Sequence, residues 1–345
     1  MTSVELLSSL VRIPSHSREE AEAADFLAAH LQSLGMEVHR AGNNLWVESE
    51  PAGSKPTILL NAHIDTVKPA SGYTRNPYEP SLEGETLYGL GTNDCGGSLV
   101  ALLEAFQILK SRPQPYRLVY SATAEEEVTG AGGIDLIFPE VGPIALGIIG
   151  EPTQMQMAVA ERGLIVLDCT AHGRSGHAAR GEGENALYKA LDDISRIRSH
   201  RFEKVSEHLG EVKMTATMIS CGTQHNVVPD KCTFVVDVRP NGEYTNQQIL
   251  DEIRSFVQSD VQPRSMRHNS SSIAMSHPVV QRGLQLGLKA FGSPTTSNQT
   301  RCDFTTLKIG PGDSARSHTA DEYILVGEIE RAVSAYVNLL DSLEL

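Results

Sequence analysis

His63 and Asp65, in the stretch Asn61-Ala62-His63-Ile64-Asp65-Thr66-Val67, are the first residues here whose types and spacing could do chemistry. They follow an apolar run, Thr57-Ile58-Leu59-Leu60, that reads as a buried strand. Residues two apart at a strand end project to the same side. The pair therefore offers an imidazole for a metal ion and a carboxylate to hold or tune it. His-x-Asp alone is a weak pattern, and a strand-end histidine is more often a plain loop residue.

Further chain supplies company. Asp94 lies in Gly89-Leu90-Gly91-Thr92-Asn93-Asp94-Cys95-Gly96-Gly97, and Glu126 and Glu127 follow the apolar run 118–123. Glu151 follows the apolar run 144–149, and His318 stands in Ser317-His318-Thr319-Ala320. Crowded carboxylates repel each other and must bind protons or gather around cations. Imidazole with carboxylate, and no cysteine, suits zinc or a related divalent ion. Two histidines and three acidic sites (Asp94, Glu126-Glu127 and Glu151) exceed the needs of one tetrahedral ion, so two ions sharing a bridging carboxylate are the natural count. Each residue also has an ordinary reading. Glu125-Glu126-Glu127 could be a solvated acidic turn, Asp94 a helix cap, Glu151 a turn residue and His318 a surface histidine. Together these readings require five coincidences, each at a strand end or beside a glycine-rich loop.

The elements that must position these residues alternate in type. Residues 4–11, 19–34 and 98–110 read as helices; 36–38, 45–47, 57–60, 118–123 and 144–149 read as strands. That alternation predicts an α/β sheet flanked by helices, with ligands at the strand ends. Past residue 158 the pattern changes to β-α-β-β-α, with strands at 164–171, 214–220 and 232–238 and helices at 185–200 and 246–258. This fits a small inserted α+β, ferredoxin-like domain. A helix over 278–291 and another over 326–343 return to the first pattern. The expected division is 1–157 with 272–345 for the outer, catalytic domain and 158–271 for the insert.

The length of 345 residues accommodates two domains. A net charge of −14 argues against nucleic-acid or anionic-membrane partners. No basic-then-apolar leader and no apolar run of ~20 residues is visible. The five cysteines are scattered without a Cys-x-x-Cys pair. A cytoplasmic protein with reduced thiols is the expectation.

The motif series resembles the M20 family of co-catalytic zinc metallopeptidases and N-acyl-amino-acid deacylases. Its matching pieces are Asn-Ala-His63-Ile-Asp65-Thr-Val, Tyr-Gly-Leu-Gly-Thr-Asn-Asp94, Thr-Ala-Glu-Glu126-Glu127, Gly-Glu151-Pro-Thr and Ser-His318-Thr-Ala-Asp-Glu. The resemblance implies a zinc-peptidase-like catalytic domain with an inserted dimerisation domain, two Zn2+ per subunit (Co2+ a possible substitute) and a homodimer. It implies that Asp94 bridges the ions, with His63 and Glu151 on one and Glu127 and His318 on the other. Asp65 would orient His63, and Glu126 would be the general base that takes a proton from water and returns it to the leaving amine. Glu125-Glu126 is an alternative register for the base and ligand. Cys95, where relatives often continue differently, is expected to be a packing residue. His177, in Gly173-Arg174-Ser175-Gly176-His177-Ala178, would reach the neighbouring subunit's site and stabilise the oxyanion. Asn226 and Arg239 resemble residues that contact a substrate carbonyl and carboxylate; read from the residues alone, Arg239 could equally pair with surface acids. The loop Gly310-Pro311-Gly312-Asp313-Ser314 could aim N–H groups around Gly312 at a carboxylate or act only as a rigid turn, and Arg301 is a further carboxylate-binding candidate. The implied activity is removal of an N-acyl group from a small amino-acid substrate, with N-acetylornithine deacetylation in arginine biosynthesis foremost. Acetyl- or succinyl-citrulline, succinyl-diaminopimelate, a di- or tripeptide, and an inactive metal-binding scaffold are the alternatives.

Overall fold

The computed structural model describes residues 1–345, which divide into two compact units. The first comprises Met1–Val159, Ser272–Phe291 and Ser297–Leu345; the second comprises Ala160–Ser271 and Gly292–Thr296.

At the centre of the first unit is the strand Thr57–His63, buried at every position. It pairs in parallel with Arg117–Thr123 on one side and Leu146–Ile149 on the other. Leu146–Ile149 in turn pairs in parallel with Thr306–Lys308, and Asn44–Glu48 adds antiparallel beyond Arg117–Thr123. Such central parallel strands need apolar residues on both faces, which is why 57–60 shows no alternation. Ile58 and Leu60 face a large core with Leu27, Phe106, Tyr120 and Tyr336. Leu59 faces the opposite side, among Trp46, Val119, Ile134 and Ile137. The helix Gly97–Lys110 covers the first face with Val326–Leu340 beside it. Two tyrosine hydroxyls are satisfied within this core: Tyr120 donates to the Leu99 carbonyl (3.1 Å) and Tyr336 to that of Ile309 (2.7 Å).

Two of the expected elements lie differently. The helix expected over 278–291 stops after Gln285, where Gly287 takes a left-handed φ of +83°, and Ala290–Ser293 is a strand. The short first strand lies at His39–Ala41 rather than 36–38.

The second unit is a four-stranded antiparallel sheet in the order Lys213–Cys221, Lys231–Arg239, Ile165–His172, Asp260–Pro263. Alternate residues of its inner strands, among them Leu167, Cys169, Phe234 and Val236, pack with Ala190, Ile197, Ile249 and Ile253 of the helices Ala186–Ser199 and Asn246–Phe256. The other face of the inner strands is mostly half-buried, and the edge strand Lys213–Cys221 is largely exposed, with Met218 65% and Ile219 50% accessible. No helix of the chain is long and apolar enough to cross a membrane.

Candidate metal centre

Parallel register brings the acidic segments together. His63 ends its strand opposite Thr123, the last residue of the neighbouring strand. Asn61 pairs with Ile149, the last residue of the strand on the other side. The chain leaves these strands at one edge, so Glu126, Glu127 and Glu151 emerge beside His63. Asp94 arrives from the turn that opens the helix Gly97–Lys110.

His63 Nε2 lies 3.3 Å from Asp94 Oδ1 and 4.0 Å from both Glu126 Oε2 and Glu151 Oε1. His318 Nε2 lies 3.0 Å from Glu127 Oε2 and 3.6 Å from Asp94 Oδ2. Asp94 thus presents one oxygen to each histidine, the geometry a bridging carboxylate needs. Donor atoms of His63, Glu126 and Glu151 all fall within 4.8 Å of one another, as do those of His63, Asp94 and Glu127. Imidazole nitrogens and carboxylate oxygens at this spacing fit divalent cations of the zinc type. His63 donates through Nδ1 to the main-chain oxygen of Asp65 at 2.8 Å, which leaves Nε2 as the free lone pair on the cluster side.

Asp65 meets both this imidazole and the turn that follows residue 124. Its carboxylate stands 3.5 Å from His63 Nδ1, but its shorter bonds lie elsewhere. It accepts from the Glu126 N–H (3.0 Å), the Glu127 N–H (3.1 Å) and the Ser17 hydroxyl (2.7 Å). Asp65 therefore fixes the turn that carries both glutamates. The same turn separates the three glutamates. Glu125 has a left-handed φ of 55° and accepts from the Gly132 N–H, whereas Glu126 and Glu127 face His63 and His318. Cys95 is buried, and its thiol accepts from the His63 N–H and donates to the His63 carbonyl. Burial pushes it up to about 12, so it is a neutral packing group.

The electrostatics match a site built for cations. Burial, then the charge of Glu151, holds Glu126 well above the usual carboxylate range. Burial and the nearby Asp94 push Glu151 up to about 8. Glu127 is likewise raised by burial, although its bond from His318 opposes the shift. His318 rises to about 9 on that same bond. Burial alone would lower His63, but Cys95, Asp65 and Asp94 outweigh it and hold the imidazole well above its ordinary value. Asp94 stays low despite burial because His63 bonds it. Without a cation the cluster holds protons in its place.

The remaining candidates fall into two groups. In the second unit, His177 and Asn226 are neighbours: Gly176–His177 pairs with Val227–Val228, and the Ala178 N–H donates to the Asn226 carbonyl at 3.0 Å. His177 is exposed, and its Nδ1 accepts from the Ala179 N–H (3.2 Å), which assigns the ring proton to Nε2. Arg239 grips Asp237 with both arms of its guanidinium, at 2.7 and 3.0 Å, so it already has the acidic partner that the residue-level reading offered. In the first unit Arg301 is bonded to Asp135 through Nε (3.2 Å) and Nη2, and its fork is not free for a substrate carboxylate. Around Gly312, two N–H groups of the expected anion cradle already have partners. The Gly310 N–H is taken by Thr153 Oγ1 (3.0 Å) and that of Asp313 by Asn93 Oδ1 (3.0 Å). Gly312 has a φ of +86°, and a Cβ there would overlap Asn93 Oδ1, so this loop is a close-fitting frame.

One residue was missed. Glu322 is 2% exposed and accepts the backbone N–H groups of Gly91, Asn93 and Asp94 at 3.1, 2.9 and 2.9 Å. It stands in the quoted Ser-His318-Thr-Ala-Asp-Glu segment, but nothing in its type or spacing distinguishes it from a surface acid.

Comparison with known proteins places this geometry. Residues 159–264 match the M20 family description "Peptidase dimerisation domain", and residues 44–145 match "Peptidase family M28". A Pyrobaculum aerophilum protein, provisionally described as a LysW-lysine/LysW-ornithine hydrolase, is 29% identical over 341 residues, covering 96% of this chain and 94% of that one. A succinyl-diaminopimelate desuccinylase of Cereibacter sphaeroides is 25% identical over 371 residues, with 98% and 97% covered. A Bacillus subtilis structure described as a dinuclear metal-binding peptidase from the M20 family superposes with a TM-score of 0.73 at 14% identity, over 99% and 98% of the two chains. The M28 match stops short of Glu151, His318 and the second unit, whereas the full-length relatives span all of them. The class that results is a hydrolytic enzyme acting on amide bonds. Within it, the dimerisation-domain match and the full-length relatives support an M20 metallopeptidase or deacylase.

Proposed function

We propose that the enzyme hydrolyses the amide of an N-acylated diamino acid with the help of two divalent cations, zinc being the first choice and cobalt a substitute. The observation that carries this is the convergence of His63, Asp94, Glu127, Glu151 and His318 around one point, with Glu126 beside them. Asp94 is assigned as the shared ligand, His63 and Glu151 to one ion and Glu127 and His318 to the other. Cations in these positions supply water acidification and carbonyl polarisation. Glu126 takes a proton from the attacking water as its oxygen bonds to the acyl carbon, and delivers it to the nitrogen as the C–N bond breaks, leaving a carboxylate and a free amine. An environment that already favours protonated Glu126 suits a residue that must hold that proton between the two steps.

The two relatives described above are named for lysine or ornithine release and for diaminopimelate desuccinylation, which makes the diamino acid the shared element. N-acetylornithine, the first expectation, falls inside that class. The exposed edge strand Lys213–Cys221 and the exposed Tyr188 and Leu191 of the adjoining helix Ala186–Ser199 support a homodimer formed through the second unit. Exposed His177, with its proton on Nε2, suits donation to an oxyanion in the partner's site. The test is amine release from acetylornithine, acetyllysine, acetylcitrulline, succinyl-diaminopimelate and a dipeptide, with metal-loaded and chelated enzyme. Turnover of acylated diamino acids is expected. Cleavage of the dipeptide alone sinks the substrate proposal, and no turnover of any of them returns the protein to a binding scaffold.

A further inference from the structure

Asp94 has an unusual problem of support. It lies in an irregular turn, Thr92–Gly96, whose Asp94 and Cys95 dihedrals are non-helical, so no regular backbone ladder fixes its side chain. Without Glu322, its own N–H and those of Gly91 and Asn93 would be buried donors without partners, which is costly. All three are taken by one carboxylate: Glu322 Oε1 receives Asn93 and Asp94, and Oε2 receives Gly91. The link is returned in the other direction, since the Gly89 N–H donates to the Glu322 carbonyl at 2.9 Å. Neighbouring bonds extend it. Asp321 receives Thr74 through N (2.9 Å) and Oγ1 (2.6 Å) and the Arg75 N–H (3.1 Å), while the Asn93 side chain donates to Asp313 O and Ser317 Oγ at 3.1 and 3.2 Å. Glu322 also lies four residues after His318. One side chain therefore ties the turn bearing Asp94 to the segment bearing His318.

We propose that Glu322 is a positioning residue for the metal centre: it aims Asp94 so that both cation sites exist, and its loss weakens both together. This rests on the two-cation reading above. The alternative is a buried acid that only stabilises the fold. The two differ in what they predict for metal. Loss of an acid that only stabilises the fold lowers the melting temperature and leaves metal affinity alone. A positioning acid acts through the one ligand common to both ions, so neither site escapes.

The experiment is a titration of the full-length apo-protein with Co2+, followed by visible absorption and by calorimetry, for wild type, Glu322→Ala, Glu322→Gln and Glu151→Ala. Supporting partners of ligands are worth about 10–100-fold in metal affinity. The expected result for Glu322→Ala is a loss of that size at both equivalents, whereas Glu151→Ala weakens one. Glu322→Gln keeps the shape and one accepting oxygen, so it lies between wild type and alanine and covers the case in which the alanine variant does not fold. Its turnover recovers at saturating metal with KM unchanged. A Glu322→Gln protein with a lowered Tm and both affinities within threefold of wild type overturns the proposal, as does loss confined to one ion. Wild type binding a single equivalent overturns the two-cation reading and this proposal with it; two equivalents with an unaffected variant overturn only the latter.

Discussion

Replacing Asp65 with asparagine separates the two glutamates it holds. The carboxylate meets three groups: Oδ1 accepts the Glu126 N–H, and Oδ2 accepts the Glu127 N–H and the Ser17 hydroxyl. Asparagine has the same shape but only one oxygen. Its better orientation follows from the neighbours. Oδ1 is also the atom 3.5 Å from His63 Nδ1, so an NH2 placed there would face two donors. An NH2 at Oδ2 faces one, because the Ser17 hydroxyl can turn and accept. The amide therefore settles with its oxygen toward Glu126, and the Glu127 N–H is left buried against a donor. That costs about 1–3 kcal/mol, or roughly 5- to 150-fold in an equilibrium. Glu127 is the proposed ligand of the ion shared with His318, so that ion's affinity falls by this factor. The other ion is held nearly as before, and turnover at saturating metal stays within about tenfold of wild type. Metal titration of Asp65→Asn, paired with kcat measured across metal concentrations, checks both halves. If both ions bind as in wild type, or if kcat at saturating metal collapses while affinity holds, the assignment of Asp65 to the glutamate turn is wrong.

Other outcomes follow from the same geometry. Glu126→Gln should lower kcat by about 100- to 10,000-fold while two equivalents of metal remain by elemental analysis; loss of metal would instead make Glu126 a ligand. His177→Ala and Glu126→Gln, each inactive alone, should recover about a quarter of wild-type activity when co-refolded at equal amounts, because half the dimers are mixed and each has one intact site. Failure to complement in a mixture shown to contain mixed dimers would place His177 outside the partner's site. In the apo-protein Glu151, at about 8, His318, at about 9, and the raised Glu126 and His63 all bind protons more tightly when folded than when unfolded. For Glu151 and His318 that stabilisation is full below about pH 4.5 and 6.5 respectively, and is lost as pH rises through about 8 and about 9. Added Zn2+ replaces those protons, so the rise in Tm on metal addition should be larger at pH 8 than at pH 6; an equal rise at both would show that the cluster does not take up the ion.

Residue types and strand order carried a good part of this site in the sequence, while backbone detail did not. His63, Glu126, Glu127 and Glu151 could be placed because each follows an apolar run, and parallel strands bring such followers to one edge. The strand Thr306–Lys308 escaped notice since it is three residues long and holds a buried lysine, too little for a period to show. The helix over 278–291 was drawn too long because composition outweighed the single glycine that stops it. Arg239 and Arg301 looked available for substrate because a sequence shows a charge without its partner; Asp237 is two residues from one, but Asp135 is 166 residues from the other.

The deeper gap concerns main-chain donors. Asp65 and Glu322 act chiefly on N–H groups, which every residue but proline carries and no motif can mark. Each accepts from the residue that bears a proposed ligand: Glu127 in one case, Asp94 in the other. Buried carboxylates that bind backbone amides are charge-assisted and directional, so they fix a turn more tightly than packing of the same volume would. Asp65, held below the usual carboxylate range, also adds negative charge beside ligands that already repel each other, while Glu322, pushed up to about 7 by burial and Asp94, gives up its proton more readily once a cation relieves that repulsion. The supports and the ligands thus favour the same occupant. A neutral substitute at either support should therefore weaken metal by more than its lost hydrogen bond alone, and the excess should shrink as salt is raised only if the charge reaches the site through solvent. For groups as buried as these the excess should persist in high salt.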